Sequence, residues 1–286
     1  MAAPFLPSAG ALESRVPVID IAPLLRPDAD RAGVAQQLDT ACRAHGFIYV
    51  VGHGVDDPRV QAQTPLHGRN LFPQNASLPG FRETLLDYMA ALTALGHRLM
   101  QAIALSLELP AGYFAERYTA DPLILFRLFN YPTRALPPGS LAQWGVGEHT
   151  DYGLLTMLRQ DSVGGLQVKT RSGWIAAPPL PRSFVCNIGD MLDRMTGGRY
   201  RSTPHRVRLN SSGTDRLSFP FFFDPNFDAR VRPIEGLAGA DDNSAARWDH
   251  ANVHGFDGTY GDYLIGKVGK VFPDLKQQVL GAGPSA

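Results

Sequence analysis

The middle of the chain reads His149-Thr150-Asp151, and it is followed by His205 and then by Arg216-Leu217-Ser218. Short apolar segments surround these motifs, with Gly, Pro, Asn and Ser between them. Many short strands separated by turn residues are typical of a β-sandwich or β-barrel. We therefore expect a mainly β core that carries these polar residues. The segments are residues 123–131, 154–159, 166–170, 184–188, 206–209 and 217–223.

Three of these side chains are candidate metal ligands. His149 and Asp151 stand two positions apart, so on a strand both would point to the same face while Thr150 points away. His205 stands 54 positions after Asp151, at the start of another strand-like segment, and can supply the third ligand. Two imidazoles and one carboxylate leave part of an octahedral ion open, which suits a non-haem Fe(II) that binds an organic acid and O2. The pattern predicts an iron site at His149, Asp151 and His205.

A structural zinc site is disfavoured by the cysteine content. Such sites usually take four protein ligands rich in Cys, but this chain has only Cys42 and Cys186, with no Cys-x-x-Cys pair. We expect both thiols to be reduced and to lie in the core.

Composition limits the classes of partner. The chain has 286 residues and equal numbers of basic and acidic side chains, 27 of each, so no net charge attracts nucleic acid or an anionic membrane. No uncharged stretch approaches the roughly 18 residues of a membrane-spanning helix. We expect a cytoplasmic protein with a small-molecule partner, no nucleic acid and no membrane. The oligomeric state stays open.

Helical patterns flank the strand-rich middle. Apolar residues three or four apart predict a first helix that follows Asp28 or Asp30 and ends near Gly46, and a long supporting helix over residues 78–109. We interpret the chain as one domain of residues 1–286. Its expected parts are a support region (1–121), a jelly-roll catalytic core (122–234), and a loop with a C-terminal helix (235–286). The support region is expected to hold strands at 16–20 and 47–51, and the C-terminal helix is expected at about 260–279.

The order of the motifs resembles that of the 2-oxoglutarate and Fe(II) dependent dioxygenases of the isopenicillin N synthase-like family. This resemblance implies an α+β, mainly β fold, in which a double-stranded β-helix (jelly roll) is flanked by N-terminal and C-terminal helices. It covers most of the chain. The matching segments are residues 16–20, 46–54, 130–132, 149–151, 164–168, 187–190, 202–207 and 216–218.

Arg216 and Ser218 form a candidate co-substrate clamp. They stand two positions apart, so a guanidinium and a hydroxyl can reach one carboxylate from the same strand face. The resemblance implies that they hold the distal carboxylate of 2-oxoglutarate, and that Tyr131 adds a hydrogen bond to the same ligand. The implied cofactors are Fe(II), 2-oxoglutarate as co-substrate, and O2. No catalytic residue beyond the metal ligands is expected, because the cofactor performs the oxidation.

The resemblance implies an oxygenase that hydroxylates, desaturates or cyclises a small molecule, with release of succinate and CO2. Related halogenases lack the metal-binding carboxylate, so Asp151 disfavours halogenation. Two alternatives stay open: an iron-dependent oxidase that does not use 2-oxoglutarate, and a degenerate binding protein. The second arises because residues 55–77 are shorter than the corresponding segment of relatives, which could leave the substrate pocket open.

Arg127 has two interpretations. It alternates with Phe129 and Tyr131, so it could point into the cavity and meet an acidic substrate. It could equally form an ion pair at the edge of the core. The sequence does not identify the substrate or the bond that is oxidised.

Overall fold

The computed structural model describes residues 16–26, 30–44, 46–51, 72–74, 77–135, 144–237, 247, 250, 252–271 and 274. Its helices are α1 (Arg31–Ala44), α2 (Phe81–Ser106), α3 (Tyr113–Arg117), α4 (Asp190–Met195) and α5 (Tyr260–Val271), with a 3-10 helix at Ala22–Leu25. Its strands are β1 (Val18–Asp20), β2 (Phe47–Val51), β3 (Leu123–Phe126), β4 (Phe129–Tyr131), β5 (Trp144–His149), β6 (Leu155–Gln160), β7 (Leu166–Thr170), β8 (Gly173–Ala176), β9 (Phe184–Ile188), β10 (His205–Arg208) and β11 (Arg216–Asp224).

The strands form two sheets that face each other. The larger sheet has seven strands in the order β1-β2-β9-β6-β11-β3, and β4 also pairs with β11. The smaller sheet has four strands in the order β5-β10-β7-β8. Every pairing is antiparallel except that of β1 with β2. This architecture confirms the expected jelly roll with flanking helices.

Alternation along β2 shows how the larger sheet serves two cores. Phe47 and Tyr49 pack between the sheets, beside residues of β7 and β10. Ile48 and Val50 point the other way and join the core formed with α1 and α2. The face of the larger sheet that is directed at the smaller sheet is called the inner face below. Side chains alternate between the two faces along every strand. Once one residue is known to lie on the inner face, every second residue of that strand lies there too.

Helix α2 supports the outer face of the larger sheet. It begins after Gly80, whose φ of 75° is left-handed, and it ends before Glu108, which has a φ of 62°. The predicted helix, residues 78–109, therefore extended about one turn too far at each end. A Cβ on Gly96 would lie 2.4 Å from the Phe223 ring, so glycine permits the close approach of α2 to β11.

Most predicted elements agree with the structure. The Asp30 side chain caps α1, because its Oδ1 accepts from the backbone N–H of Gly33 at 2.8 Å, whereas Asp28 lies outside the described residues. The predicted 123–131 strand is divided into β3 and β4, and β8 was not anticipated. Beyond Val271 the C-terminal helix is described only at Asp274, and most of residues 55–77 and 235–247 also lie outside the described residues. The division into three regions stays a prediction.

Among the described residues, no helix combines the length and the apolar character that crossing a lipid bilayer requires.

Candidate active site

Adjacent strands of the smaller sheet bring two histidines together. His149 is the last residue of β5, His205 is the first of β10, and they are paired across the antiparallel ladder. Asp151 lies beyond the end of β5, so the expectation that it shares a strand with His149 was wrong. The carboxylate nevertheless reaches both rings. Its Oδ1 lies 3.9 Å from Nε2 of His149 and 3.7 Å from Nε2 of His205, and the three ligand atoms lie within 4.8 Å of one another.

Backbone carbonyls fix the orientation of both imidazoles. His149 Nδ1 lies 2.8 Å from the Gly147 oxygen, and His205 Nδ1 lies 3.2 Å from the Thr203 oxygen. A carbonyl oxygen can only accept, so each Nδ1 carries the proton and each Nε2 presents a lone pair. Burial lowers the pKa of His205 to about 4, although Asp151 opposes this. Its ring is therefore neutral at physiological pH.

The carboxylate of Asp151 is oriented by two donors. Thr156 Oγ1 and Asn187 Nδ2 donate to its Oδ2 at 2.5 and 2.7 Å, which leaves Oδ1 directed at the histidines. Burial by itself would raise the pKa of Asp151. His205, His149 and the two donors outweigh burial and hold the pKa below its ordinary value. A neutral His205 and an ionised Asp151 are in the protonation states that a divalent iron site requires, so these residues fit the metal.

A buried charged network holds the turn that carries Asp151. Arg247 donates to Thr150 Oγ1 at 3.0 Å and to Asp190 Oδ1 at 2.5 Å. The Asp190 backbone N–H donates to the Asp151 oxygen at 2.8 Å, and its Oδ2 accepts from the Tyr263 hydroxyl at 2.7 Å. The turn is therefore connected to α5 as well as to β5. This connection explains how Asp151 meets the histidines without belonging to their strands.

Arg216 and Ser218 lie side by side on the inner face of β11. Arg216 is paired with Tyr131 of β4, and Ser218 is paired with Gln160 of β6. The Arg216 side chain is fully buried. Its Nη2 donates to Gln160 Oε1 at 3.2 Å, and its guanidinium carbon lies 4.9 Å from the centroid of the Tyr131 ring. All four residues therefore lie together on one part of the inner face.

The Arg216 guanidinium has unused hydrogen-bonding capacity. Its Nε and Nη1 have no hydrogen-bond partner within the described part of the chain. Burial lowers the pKa of Arg216, while Tyr131 and Asp161 act in the opposite direction. A buried charge with unpaired donors is costly unless an anion completes it. The arrangement fits a carboxylate ligand.

Gln160, Thr156 and Asn187 were not identified from the sequence. Thr156 and Gln160 occupy alternate positions of β6, so both side chains lie on the inner face, and Asn187 is paired with Thr156 from β9. Their alternation with apolar neighbours was the available signal. Arg247 offered no signal, because it stands in a polar segment without periodicity.

We expect Gln160→Glu to weaken 2-oxoglutarate binding at least about 10-fold, because a carboxylate at this position would pair with Arg216 and compete with the ligand. Gln167→Glu is the matched control, since Gln167 accepts from Arg206 at 2.9 Å, away from the cavity. Anaerobic titration of the iron-loaded variants gives both dissociation constants. Equal binding by Gln160→Glu and wild type would contradict this account of Arg216.

Asp224 ends β11 on the inner face and accepts from the Tyr260 hydroxyl at 2.5 Å. Burial is the main cause that raises its pKa from 3.8 to about 7, and Asp151 adds to it. The folded state therefore retains a proton that the unfolded state loses. The stability that comes from this retained proton is fully present below about pH 4. It is lost as the pH rises to 7, which lowers the free energy of unfolding by about 4 kcal/mol.

Asp224→Asn should therefore flatten the pH dependence of stability. In the metal-free protein, the free energy of unfolding of the variant relative to wild type should increase by about 3 kcal/mol between about pH 4.5 and about pH 7.5. Denaturant titrations at the two pH values provide the comparison. A difference that is independent of pH would mean that Asp224 titrates normally in the folded protein.

The sequence matches two family models. The first, described as the 2OG-Fe(II) oxygenase superfamily, matches residues 123–225. The second, described as the non-haem dioxygenase in morphine synthesis N-terminal region, matches residues 16–75. The first match covers the strands that carry most of the candidate site, and the chain belongs to the 2OG-Fe(II) oxygenase superfamily.

Two curated relatives and one solved structure are similar along most of the chain. A probable iron/ascorbate oxidoreductase of Dictyostelium discoideum is 57% identical over 79% of this chain and 67% of its own length. The 1-aminocyclopropane-1-carboxylate oxidase of Dictyostelium mucoroides is 34% identical over 91% of this chain and 96% of its own. A full-length Neurospora crassa protein, solved in complex with alpha-KG and 5-formyluracil, has a TM-score of 0.73 and 26% identity, covering 89% of this chain and 96% of that one.

The protein is accordingly an Fe(II)- and 2-oxoglutarate-dependent oxygenase, an oxidoreductase whose cofactors are Fe(II), 2-oxoglutarate and O2. The alignment with the D. mucoroides oxidase spans 352 positions, more than the 286 residues of this chain. That relative therefore has segments with no counterpart here.

Proposed function

We propose that His149, Asp151 and His205 hold the Fe(II), and that Arg216, Ser218 and Tyr131 hold 2-oxoglutarate. The buried guanidinium of Arg216, whose Nε and Nη1 have no partner among the described residues, is the observation that carries this proposal. Arg216 meets β6 at Gln160, whereas Asp151 meets the same strand at Thr156. These two positions are about 13 Å apart along the strand. A five-carbon dicarboxylate fits between the guanidinium and the metal ligands.

Each part of the chain has a defined task in this proposal. Arg216 and Ser218 hold the distal carboxylate of 2-oxoglutarate and so orient its oxo acid end towards the three metal ligands. Apolar residues between the sheets exclude water from the co-substrate. Bound iron supplies the oxidation chemistry that converts 2-oxoglutarate and O2 to succinate and CO2 while a substrate is oxidised. No side chain is required as a general base.

We propose that the substrate is a small molecule that is hydroxylated, desaturated or cyclised. The buried positions of Asp151, His205 and Arg216 support this, and the absence of net charge gives no support to a nucleic-acid substrate. We also propose a cytoplasmic location, supported by Cys42 and Cys186, which are both free and buried. Fractionation of cells that express the tagged protein tests the location. Recovery in a membrane fraction would contradict it.

Succinate release tests the proposed reaction. The iron-loaded protein is mixed with 2-oxoglutarate and O2, with and without candidate small molecules, and succinate and oxidised product are quantified by mass spectrometry. We expect succinate to form in proportion to the oxidised product, and to disappear in His205→Ala. An oxidase that does not use 2-oxoglutarate would oxidise a substrate without succinate. A degenerate protein would release succinate at a rate that no candidate changes.

A further inference from the structure

A row of paired residues crosses the inner face from the metal ligands to the edge of the larger sheet. Asn187, Thr156, Phe222 and Leu125 are paired in turn across β9, β6, β11 and β3. Asn187 and Thr156 donate to Asp151, so this row begins at the metal ligands. Phe222 and Leu125 continue it at about 5 and about 10 Å from Thr156. They offer an apolar surface beside the metal ligands.

Arg127 lies in the neighbouring row of the same face. Phe126 is paired with Phe221, and Phe129 is paired with Ser218. The two pairs are three residues apart along both segments, so the register continues from one pair to the other. The Arg127 backbone N–H donates to the Pro220 oxygen at 3.1 Å, as this register requires. Side chains of paired residues share a face, so Arg127 lies on the inner face with Pro220.

The position of the guanidinium agrees with this register. The guanidinium carbon of Arg127 lies 5.9 Å from the ring centroid of Phe129, an inner-face residue that is paired with Ser218. Arg127 therefore lies between the row that contains Phe222, which starts beside Asp151, and the row that contains Ser218. Leu125, two residues before it on the same face, is 43% exposed, so a ligand can reach this edge of the inner face.

Arg127 forms no ion pair with a carboxylate in the described ranges of the chain. The interpretation as a core-edge ion pair therefore has no support there. The side chain is exposed, and its one recorded contact is the aromatic face of Phe129. An exposed cation that is held against an aromatic ring at the edge of the inner face is available to bind an anion.

The charges of the occupied site also favour an anionic substrate, an argument that rests on the proposed function. Fe(II) with an ionised Asp151 retains one positive charge, and Arg216 contributes a second. The two carboxylates of 2-oxoglutarate balance both, while the histidines are neutral. Arg127 is then a cation of the inner face that neither the iron site nor 2-oxoglutarate balances.

We propose that the substrate is a small organic acid with an apolar body, and that Arg127 binds its carboxylate. The guanidinium forms two parallel hydrogen bonds with the carboxylate, which fixes one end of the substrate. The apolar body lies on Phe222 and Leu125, along the row that leads to Asp151. This geometry presents a carbon remote from the carboxylate to the metal site.

Matched acid and amide pairs test this proposal. The probes are phenylacetate with phenylacetamide and indole-3-acetate with indole-3-acetamide, and the readout is succinate release above the rate without probe. The variants are Arg127→Gln and Arg127→Lys. Arg208→Gln is the control, because Arg208 is exposed and lies on the opposite face of β10 from the inner-facing His205. We expect wild type to respond to the acids and not to the amides. Arg127→Gln should raise the KM for an acid at least about 10-fold, Arg127→Lys should raise it less, and Arg208→Gln should behave as wild type.

The charge-transfer band of the Fe(II)–2-oxoglutarate complex separates the two levels of failure. If wild type forms no band, the proposed function fails and this inference fails with it. If the band forms, any one of three results overturns the acid proposal alone. The amides stimulate as strongly as the acids, or no acid stimulates, or Arg127→Gln leaves the KM unchanged. If Arg127→Gln weakens 2-oxoglutarate itself as strongly as loss of Arg216 does, Arg127 serves the co-substrate and the proposal is also overturned.

Discussion

Replacing Arg216 by Met is expected to weaken 2-oxoglutarate binding at least about 100-fold and to stabilise the ligand-free protein. Nε and Nη1 of Arg216 are unpaired within the described residues and available to a carboxylate. Two hydrogen bonds to a charged group contribute about 3 kcal/mol or more, which corresponds to that change in affinity. The ligand-free protein gains stability because Met fills a similar volume without a buried charge. This gain in stability exceeds the loss of the hydrogen bond between Arg216 and Gln160.

Thermal unfolding with and without 2-oxoglutarate measures both effects. Wild type should show a higher midpoint when ligand is added, because a ligand that binds only the folded state stabilises it. Arg216→Met should start about 2 °C or more above wild type and show no ligand-dependent rise. Arg208→Met, at an exposed position of β10, is the control. A ligand-dependent rise in Arg216→Met equal to that of wild type would exclude Arg216 as the clamp.

Asp151→Ala is expected to reduce Fe(II) affinity by more than about 100-fold. Loss of residues that merely orient a metal ligand already costs about 10-fold to 100-fold, and Asp151 is proposed as a ligand. Its Oδ1 is the oxygen nearest both imidazoles, and its removal leaves two neutral rings with no charge to balance the ion. Thr156 and Asn187 also lose their shared acceptor.

Calorimetric titration of the metal-free protein with Fe(II) under anaerobic conditions measures this loss. Asp121→Ala is the control, because Asp121 is exposed and the one hydrogen bond recorded for it uses its backbone. The control should bind iron as wild type does. Retention of wild-type affinity by Asp151→Ala would place the metal elsewhere.

Local alternation was sufficient to predict that Arg216 and Ser218 share one face of a strand. Arg216 and Ser218 lie on one continuous strand, β11, so the rule that every second residue shares a face applied directly. The same rule places Phe221 and Phe223 on the opposite face, and both are fully buried against the helices. Phe222, between them, lies on the inner face instead.

The metal site could be predicted only in part. The structure brings the three candidate ligands together, but the reason given for the approach of Asp151 to His149 was wrong, because β5 ends at His149. Arg247 and Asp190 hold the turn, and Arg247 stands 97 positions after Thr150 and 57 positions after Asp190. Contacts between such distant residues depend on the packing of α5 and the loop before it. No local periodicity encodes that packing.

The anaerobic titration of the metal-free protein with Fe(II) and then with 2-oxoglutarate, followed by visible absorbance, tests the central claim most directly. We predict a metal-to-ligand charge-transfer band in wild type after both additions, no band in His149→Ala, and none in Arg216→Met at 2-oxoglutarate concentrations that saturate wild type. Iron binding without a band in wild type, or a band of wild-type intensity in both variants, would contradict the assignment of these residues.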